Sequence, residues 1–355
     1  MITHPLFRDE FPVTEEWAYL NHATHGPFSR QTCAAVARVA EAFARPPLMD
    51  GAAREAAIVQ ARENVAALVG GVASQVAFVG NLGDAMGLCA AGIDWRPGDN
   101  VVIPRDEFPS VVYAFLNLQG RGVSVRFVEK DNSGYTDLDR IASAMDGRTR
   151  ALVISHVEFM DGFRNDLAAI GRLCRERNVL SIVDATQSMG ALPIDARATG
   201  IDILAAHGYK WLMASYGFGP IHFSERAITE IRPVYVGRSS VNKGFEDLDY
   251  ALDWREGALR YQTGGINWFA LAAFNASAEL IRAADPARSE RHTRALLDRL
   301  IEGLRPRGYT ITSALDPAHR SQILSFTTGT REGDARIVAS LYEAKVAVSL
   351  RGKGV

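Results

Sequence analysis

The chain has 355 residues and a formal net charge of −2 at pH 7, which is long enough for a large domain and a smaller one. Hydrophobic residues make up 47% and charged residues 23% of it, the balance of an ordinary globular protein. A nearly neutral chain offers no basic surface, so we expect no nucleic-acid partner and no membrane partner. No apolar run reaches the roughly 20 residues of a spanning helix, and the opening residues do not resemble a signal peptide, so we expect a cytoplasmic location.

The three cysteines, Cys33, Cys89 and Cys174, lie far apart in stretches with helical patterns. No CxxC pair or Cys/His cluster is present, so the sequence predicts neither a disulfide framework nor a metal site. We interpret each cysteine as a small buried hydrophobic residue.

From about residue 31 to residue 223, helical patterns alternate with short apolar runs. Ser29 is the predicted N-cap of a first helix, and a second helix over residues 52–68 is predicted to end at Gly70. Seven apolar runs predict strands: VAFVG, NVVIP, VSVRFVE, ALVISHVEF, LSIVDA, IDILAAH and GPIHF. This alternation predicts an α/β fold with a mainly parallel seven-stranded sheet covered by helices on both faces.

The tail of the chain has a different pattern. Helical stretches over residues 268–284 and 289–305 precede the runs RGYTITSA, SQILSFTT and KVAVSL, which we interpret as strands around one more helix. The pattern predicts a large domain over residues 15–251 and a smaller α+β domain formed by residues 1–14 and 252–355.

Polar residues directly after the apolar runs are the first candidates for a site, because ligands bind outside the carboxyl ends of parallel strands. Gly83 and Asp84 follow VAFVG at a strand-to-helix turn, where backbone N–H groups and the helix N-terminus favour an anion; an ordinary turn explains them equally well. Asp184 follows the apolar Ser-Ile-Val of the fifth run. A buried carboxylate needs a cationic or hydrogen-bonding partner, such as a protonated pyridine nitrogen, although it could also cap the next turn. Gln187, three residues later, could donate to a phenolate oxygen.

Lys210 follows the run IDILAAH and has no carboxylate within four positions on either side. Lysine is seldom buried without a partner, and a desolvated lysine has a lowered pKa that makes it an amine nucleophile for Schiff-base chemistry. The alternative is a lysine that extends from a surface turn into water. The order of an anion-binding turn, a strand-end Asp and this Lys favours the first interpretation.

The span from residue 180 to residue 223 resembles the class V aminotransferase family of fold-type I enzymes that use pyridoxal 5'-phosphate (PLP). That family includes cysteine desulfurases, kynureninase and isopenicillin-N epimerase. Asp-Ala-Thr-Gln at 184–187 is similar to the family's Asp-Ala-x-Gln signature, and Lys-Trp-Leu at 210–212 with Gly-Phe-Gly at 217–219 is similar to its lysine motif. The resemblance extends in order over about residues 15–270, through Tyr19–Asn21, Glu107–Ser110, His156–Arg164 and Gly264–Asn267.

The resemblance implies a role for each matching residue. Lys210 would carry PLP as a Schiff base and move protons at the substrate Cα, and Asp184 would keep the pyridine nitrogen protonated. Gln187 would contact the ring oxygen, and Phe108 would stack on the ring. The resemblance also implies a homodimer with shared active sites and a set of phosphate contacts: Gly83, Asp84, His207 and Tyr209 in one subunit, and Gly265 and Asn267 reaching the phosphate of the partner subunit.

The sequence departs from the family pattern at several positions. Tyr209 stands where many relatives have His, and Leu82 and Gly83 replace phosphate-binding threonines. Gly265 stands where Thr is usual, and Glu158-Phe159 replace a polar pair that often includes Asn near the ring oxygen. These departures predict weaker cofactor binding than in relatives, but not its loss.

The shared residues only generate a carbanion at Cα, so several reactions stay open. Aminotransferase-like chemistry on a small amino acid is our first expectation, and a Cβ–X lyase, a kynureninase-like hydrolase or an epimerase is the alternative. A cysteine desulfurase is disfavoured because its sulfur-accepting Cys lies in the C-terminal half of the chain, whereas the last cysteine here is Cys174. A non-catalytic binding protein is disfavoured by the intact set of Lys210, Asp184 and Gln187, and a dinucleotide site by the absence of GxGxxG.

Two further residues are candidates for contact with the substrate. Relatives have an arginine for the substrate carboxylate near the C-terminus, and Arg351 is the candidate here; the alternative is an exposed arginine of the tail. His25 lies in the turn formed by residues 21–27. It could face the substrate or only stabilise that turn.

Overall fold

The structure is a computed structural model that describes residues 7–45, 51–131, 134–243 and 250–351. Its strands are β1 Ala18–Tyr19, β2 Val76–Val79, β3 Asn100–Pro104, β4 Ser124–Val128, β5 Thr149–Ser155, β6 Leu180–Asp184, β7 Ile203–Ala205, β8 Gly219–Phe223, β9 Thr310–Ile311, β10 Phe326–Thr327 and β11 Val346–Ala347. Its α-helices are α1 Arg30–Ala44, α2 Gly51–Val69, α3 Leu82–Gly92, α4 Pro109–Leu116, α5 Leu138–Ala144, α6 Leu167–Glu176, α7 Ala196–Thr199, α8 Glu225–Glu230, α9 Trp268–Ala284, α10 Pro286–Leu304 and α11 Arg331–Glu343.

A seven-stranded sheet forms the centre of the molecule, with strand order β2-β8-β7-β6-β5-β3-β4. Neighbouring strands are parallel except at β8, which is antiparallel to both β2 and β7. All seven apolar runs contribute a strand to this sheet, so the predicted α/β fold with a mainly parallel sheet is confirmed.

The two faces of the sheet are packed by two different sets of side chains. Val102, Ile154 and Val183 belong to the core that α2, α6 and α9 cover. Their neighbours along the strands, such as Val101 and Ile182, belong to the core that α3 and α4 cover. Because both faces are buried, most strand positions are apolar; Arg126 in β4 and His222 in β8 are polar exceptions inside the strands.

The predicted helix boundaries in the first part of the chain agree with the structure. Ser29 caps α1, since its Oγ accepts the Thr32 N–H at 3.0 Å. The helix predicted over residues 52–68 is α2, and it is followed by Gly70 in the left-handed region (φ 65°), where glycine has no steric cost.

The tail contains the expected mixture of helices and short strands. β9 and β10 form an antiparallel pair, whereas β11 pairs in parallel with β1, through Ala18 with Val346 and Tyr19 with Ala347. The third tail strand therefore joins the N-terminal segment instead of the other two. The division into domains at residues 14 and 251 stays a prediction.

The cysteines do not all lie where the sequence placed them. Cys89 and Cys174 are buried, and burial raises the pKa of each thiol to about 12. Cys33 is exposed, so the interpretation of this residue as a buried hydrophobic group is wrong. The buried positions of α1 are Thr32, Ala35 and Val39, and Cys33 falls outside the face that they form.

Across residues 7–45, 51–131, 134–243 and 250–351, no helix is long and apolar enough to cross a bilayer. The same residues contain no group of three or more His, Cys, Asp or Glu side chains placed to hold a metal ion.

Candidate functional site

Lys210 lies in the turn after β7, and its side chain is buried, with 7% of its surface exposed. Its Nζ lies 5.5 Å from the centre of the Phe108 ring. Burial lowers the pKa of this amine; the charge of Asp184 opposes that shift, and the charge of Arg351 adds to it. A lysine extending from a surface turn would be exposed, so the observed position favours an amine nucleophile.

The backbone of Lys210 is in close contact with the turn that begins at Asn21. The Gly26 N–H donates to Tyr209 O at 2.8 Å. A Cβ at position 26 would lie 2.1 Å from Lys210 O, so only glycine fits there. Gly26 is not among the site residues predicted from the sequence. Its signal is the Gly-Pro pair within a polar turn, which indicates a close contact between backbones.

Asp184 is the last residue of β6 and is 5% exposed. Its Oδ1 accepts the Thr186 N–H at 2.8 Å, so the carboxylate does cap the following turn. Burial raises its pKa, whereas the bonds from Thr186 and the charge of Lys210 lower it. A buried carboxylate beside a lysine is a suitable partner for a protonated ring nitrogen, and the cap does not exclude that role.

Gln187 connects three distant parts of the chain. Its Nε2 donates to Ala23 O at 3.0 Å, and its Oε1 accepts the Trp211 indole N–H at 2.8 Å. Gln322 from the tail donates to the Gln187 carbonyl. The amide nitrogen carries two hydrogens, so one remains for a further acceptor such as a ring oxygen.

Phe108 directly precedes α4, and its ring lies edge-on to that of Phe159 at 5.4 Å between centroids. With Lys210 Nζ on its face, Phe108 offers a flat apolar surface for a planar ring. Phe159 makes this corner apolar where relatives often have Asn.

The first turn of α3 is the candidate anion site. The Asp84 N–H already donates to Asn81 Oδ1 at 3.0 Å, and the Asp84 carboxylate accepts from Asn81 Nδ2 at 3.0 Å. The N–H groups of Leu82 and Gly83 are therefore the open donors of this turn. Next to it lies a cavity of about 490 Å³ whose lining includes Asp84 and also Gly265 and Asn267, the two residues predicted to reach the phosphate of the partner subunit.

His207 and Tyr209 flank the lysine turn. The His207 N–H donates to Thr186 Oγ1 at 3.1 Å, and burial lowers the pKa of its ring to about 4. Its Nδ1 is buried and has no hydrogen-bond partner among the described residues. Tyr209 stacks on Tyr216 at 4.2 Å and on His25 at 5.9 Å, so it forms part of an aromatic stack.

The two weaker candidates, His25 and Arg351, both come close to Lys210. His25 stacks on Tyr209 and Tyr216, and its Nδ1 is buried without a partner in the described part of the chain. Arg351 Nη2 donates to Thr24 Oγ1 at 2.9 Å. Its charge acts on both Lys210 and Tyr209. The arginine is therefore a half-buried neighbour of the lysine instead of a free tail residue.

PLP needs a lysine amine, a partner for its ring nitrogen, a flat ring face and an anion site. The buried Lys210 amine faces the Phe108 ring, and the buried Nδ1 of His207 has no hydrogen-bond partner among the described residues. A bound cofactor would bind to the Lys210 amine and would give His207 Nδ1 a hydrogen-bond partner. The residues present therefore fit PLP.

The chain is similar to known proteins over much of its length. The chain matches the Aminotransferase class-V family over residues 48–354. It is 29% identical over 298 residues to a probable cysteine desulfurase of Methanothermobacter thermautotrophicus, covering 82% of this chain and 72% of that protein. It is 31% identical over 195 residues to the cysteine desulfurase IscS of Vibrio campbellii, covering 50% of this chain and 48% of that protein.

The solved structures show the same fold. The protein C-DES with glycine covalently linked to its PLP cofactor has a TM-score of 0.87 at 22% identity, covering 96% of this chain and 91% of the other. C-DES described as a cystine C–S lyase in complex with its product cysteine persulfide has a TM-score of 0.85 at 23% identity, with the same coverage.

A match over residues 48–354, together with the buried lysine and strand-end carboxylate, establishes what class of protein this is. The chain belongs to the class V aminotransferase family and is a PLP-dependent enzyme with the fold-type I architecture.

Proposed function

We propose that this enzyme cleaves the Cβ–S bond of a cysteine-type amino acid as a PLP-dependent lyase, with Lys210 and Asp184 as its catalytic residues. The observation that carries the proposal is the buried Lys210 amine, which faces the Phe108 ring and feels the charges of Asp184 and Arg351. The names of the relatives support the bond, because two are cysteine desulfurases and one is a cystine C–S lyase. Aminotransferase-like chemistry, the first expectation from sequence, becomes the second candidate.

The residues that would hold PLP are those predicted from the sequence. Lys210 would bind it covalently, Asp184 would pair with its ring nitrogen, Gln187 would donate to its ring oxygen, and Phe108 would cover its face. The phosphate contacts would be the open N–H of Gly83 together with His207 and Tyr209, because the Asp84 N–H is already bonded to Asn81. Gly265 and Asn267 would be contributed by the partner subunit of a homodimer. When bound, PLP supplies an electron sink for negative charge at the substrate Cα.

The chain's own side chains would move the protons and orient the substrate. An amine whose pKa is lowered by burial, as that of Lys210 is, is a usable base for the Cα proton near neutral pH. The Arg351 guanidinium would bind the substrate carboxylate through two parallel hydrogen bonds. His25, held neutral by burial that lowers its pKa, would face the sulfur side chain.

The cysteines favour a lyase over a desulfurase that transfers sulfur to its own thiol. Cys89 and Cys174 are buried, with thiol pKa values of about 12, and a thiol rather than a thiolate is a poor nucleophile. Cys33 is exposed on α1. None of the three is among the residues that surround Lys210 above.

Product analysis tests the proposal. With L-cystine, we expect pyruvate and ammonia in equal amounts together with cysteine persulfide, because elimination at Cβ followed by hydrolysis adds one water. The reaction should need no 2-oxo acid. Cys33→Ser should proceed at the rate of the unmodified enzyme.

Two outcomes would contradict the lyase. Amino transfer to a 2-oxo acid without pyruvate would make the enzyme an aminotransferase. Alanine formation from L-cysteine, with sulfur retained on Cys33 and lost in Cys33→Ser, would make it a desulfurase.

A further inference from the structure

Glu107 is a buried carboxyl that the proposed reaction does not use. It directly precedes the stacking residue Phe108, and only 5% of its surface is exposed. Its carboxyl oxygens accept the Ser155 N–H at 2.5 Å, the Ser155 hydroxyl at 2.6 Å and the Phe108 N–H at 3.3 Å. Glu107 is the acceptor in all three bonds, so these bonds stabilise its ionised form.

These contacts link the two sides of the cofactor site. Ser155 is the last residue of β5 and pairs in register with Asp184, the last residue of β6. Glu107 thus connects the backbone of Phe108 to the strand ends that hold Asp184. The connection lies across the gap where β3 and β5 separate at the carboxyl edge of the sheet, since their pairing ends at Val102 with Leu152.

Other ionisable groups surround this carboxyl. The pKa of Glu107 is raised to about 7, because burial and the charge of Asp184 raise it by more than the bonds from Ser155 and Phe108 lower it. Burial raises the pKa of Glu158 well above its ordinary value, with added contributions from Glu107 and Asp161. The protonated, uncharged form of Glu158 is therefore favoured more than it would be in water.

Lys130 and Asp161 are further charges that act on Glu158, and Asp106 directly precedes Glu107 in the chain. Lys130 Nζ forms ion pairs with Asp161 at 3.3 Å and Asp106 at 3.4 Å. Asn165 Nδ2 donates to Ser155 O and to Glu158 Oε1, both at 2.8 Å. The His156 ring is uncharged, because burial lowers its pKa to about 3. Asp184 is thus the charged group that Glu107 meets from the sheet.

We propose that Glu107 is a positioning residue that holds Phe108 against the Asp184 strand end, and that its ionisation is coupled to cofactor binding. The inference rests on the proposed pairing of Asp184 with a protonated ring nitrogen. It concerns a residue that touches neither substrate nor cofactor, and acts through Phe108 and Asp184.

The direction of the coupling follows from charge. A ring cation held at Asp184 stabilises a nearby carboxylate, so the pKa of Glu107 falls when the cofactor binds. Binding is then tighter above the pKa of the free enzyme and weaker as the pH falls through about 7. Each unit by which the pKa falls changes the affinity by about tenfold across that range. Protonation at low pH also weakens the hydrogen bonds that Glu107 accepts, and this too makes cofactor binding weaker at low pH.

The test is the dissociation constant of PLP, measured by equilibrium dialysis at pH 6 and pH 8 in amine-free buffers. For the unmodified protein and for Glu107→Gln we compare one ratio, the dissociation constant at pH 6 divided by that at pH 8. Contributions from the ring nitrogen and from Lys210 are common to both proteins. We expect the ratio for the unmodified protein to exceed that for Glu107→Gln by about 2.5-fold to fivefold, for a pKa of about 7 that is lowered by half a unit to one unit.

Glu158→Gln is the matched control, because it removes a neighbouring carboxyl that accepts from Asn165 and leaves the bonds of Glu107 to Ser155 and Phe108 in place. The ratio should stay that of the unmodified protein. Ser155→Ala serves if Glu107→Gln does not fold. It removes a bond that lowers the pKa of Glu107, so the midpoint of the pH dependence should move to higher pH.

Equal ratios in the unmodified protein and Glu107→Gln, or an unmoved midpoint in Ser155→Ala, would overturn the inference. Those results are distinct from failure of the proposed function. Covalent PLP on Lys210 and pyruvate formation would persist in the unmodified protein even if Glu107 had no influence.

Discussion

Lys210→Gln is expected to lower pyruvate formation from L-cystine by at least about 10³-fold, the largest effect of any single substitution in this chain. The variant loses the covalent attachment of the cofactor and the base for the Cα proton, and a general base alone contributes typically about 10²–10⁴-fold. Glutamine matches the uncharged state that burial favours for this lysine, so we expect the folded structure to persist. Steady-state kinetics and a urea unfolding curve measure the two effects.

Lys345→Gln is the matched control for that experiment. Lys345 is exposed, and its Nζ lies 4.7 Å from the centre of the Trp17 ring, so the change should leave the rate unaltered. If Lys210→Gln kept more than about a tenth of the activity, which is far outside the range for a lost general base, Lys210 would not be the catalytic lysine.

Asp184→Asn is expected to lower the exchange of the substrate Cα proton with deuterium by at least about 10²-fold, as removal of one electrostatic or acid–base group typically does. The neutral amide no longer favours a protonated ring nitrogen, so less negative charge can leave Cα. Binding of PLP should be much less affected, because Lys210 and the phosphate contacts remain. Exchange followed by NMR on the isolated substrate reports the chemical step alone.

Asp202→Asn separates catalysis from stability. Asp202 is also buried, and its Oδ2 accepts the Ser181 N–H and hydroxyl at 3.0 Å each, at the opposite end of β6. We expect this variant to lose stability and to keep normal exchange per folded molecule. If Asp184→Asn behaved in the same way, with a loss of ~1 kcal/mol and unchanged exchange, Asp184 would be only the cap of its turn.

The sheet and the two central residues could be predicted because their signals are local. A strand buried on both faces is apolar along its whole length, so its end is visible where the first polar residue appears. Asp184 is such a strand-end residue. Lys210 is marked by the absence of any carboxylate close to it in sequence, a pattern that burial in the structure explains.

The contacts that assemble the site could not be predicted, because they join residues far apart in the chain. Glu107 and Ser155 are 48 positions apart, Gln187 and Gln322 are 135 apart, and Thr24 and Arg351 are 327 apart. The first depends on the order of strands in the central sheet, and the last on the pairing of β1 with β11. The prediction that Cys33 is buried was wrong for a related reason. The buried face of α1 is the one that packs against α9, a helix far away in the chain.

Covalent attachment of the cofactor to Lys210 is the central claim, and one measurement tests it directly. The purified protein, incubated with PLP and reduced with borohydride, should lose its visible absorbance. Peptide mapping by mass spectrometry should then find the pyridoxyl group on Lys210. A protein that takes up no PLP, or one that carries the label on another lysine, would contradict the account.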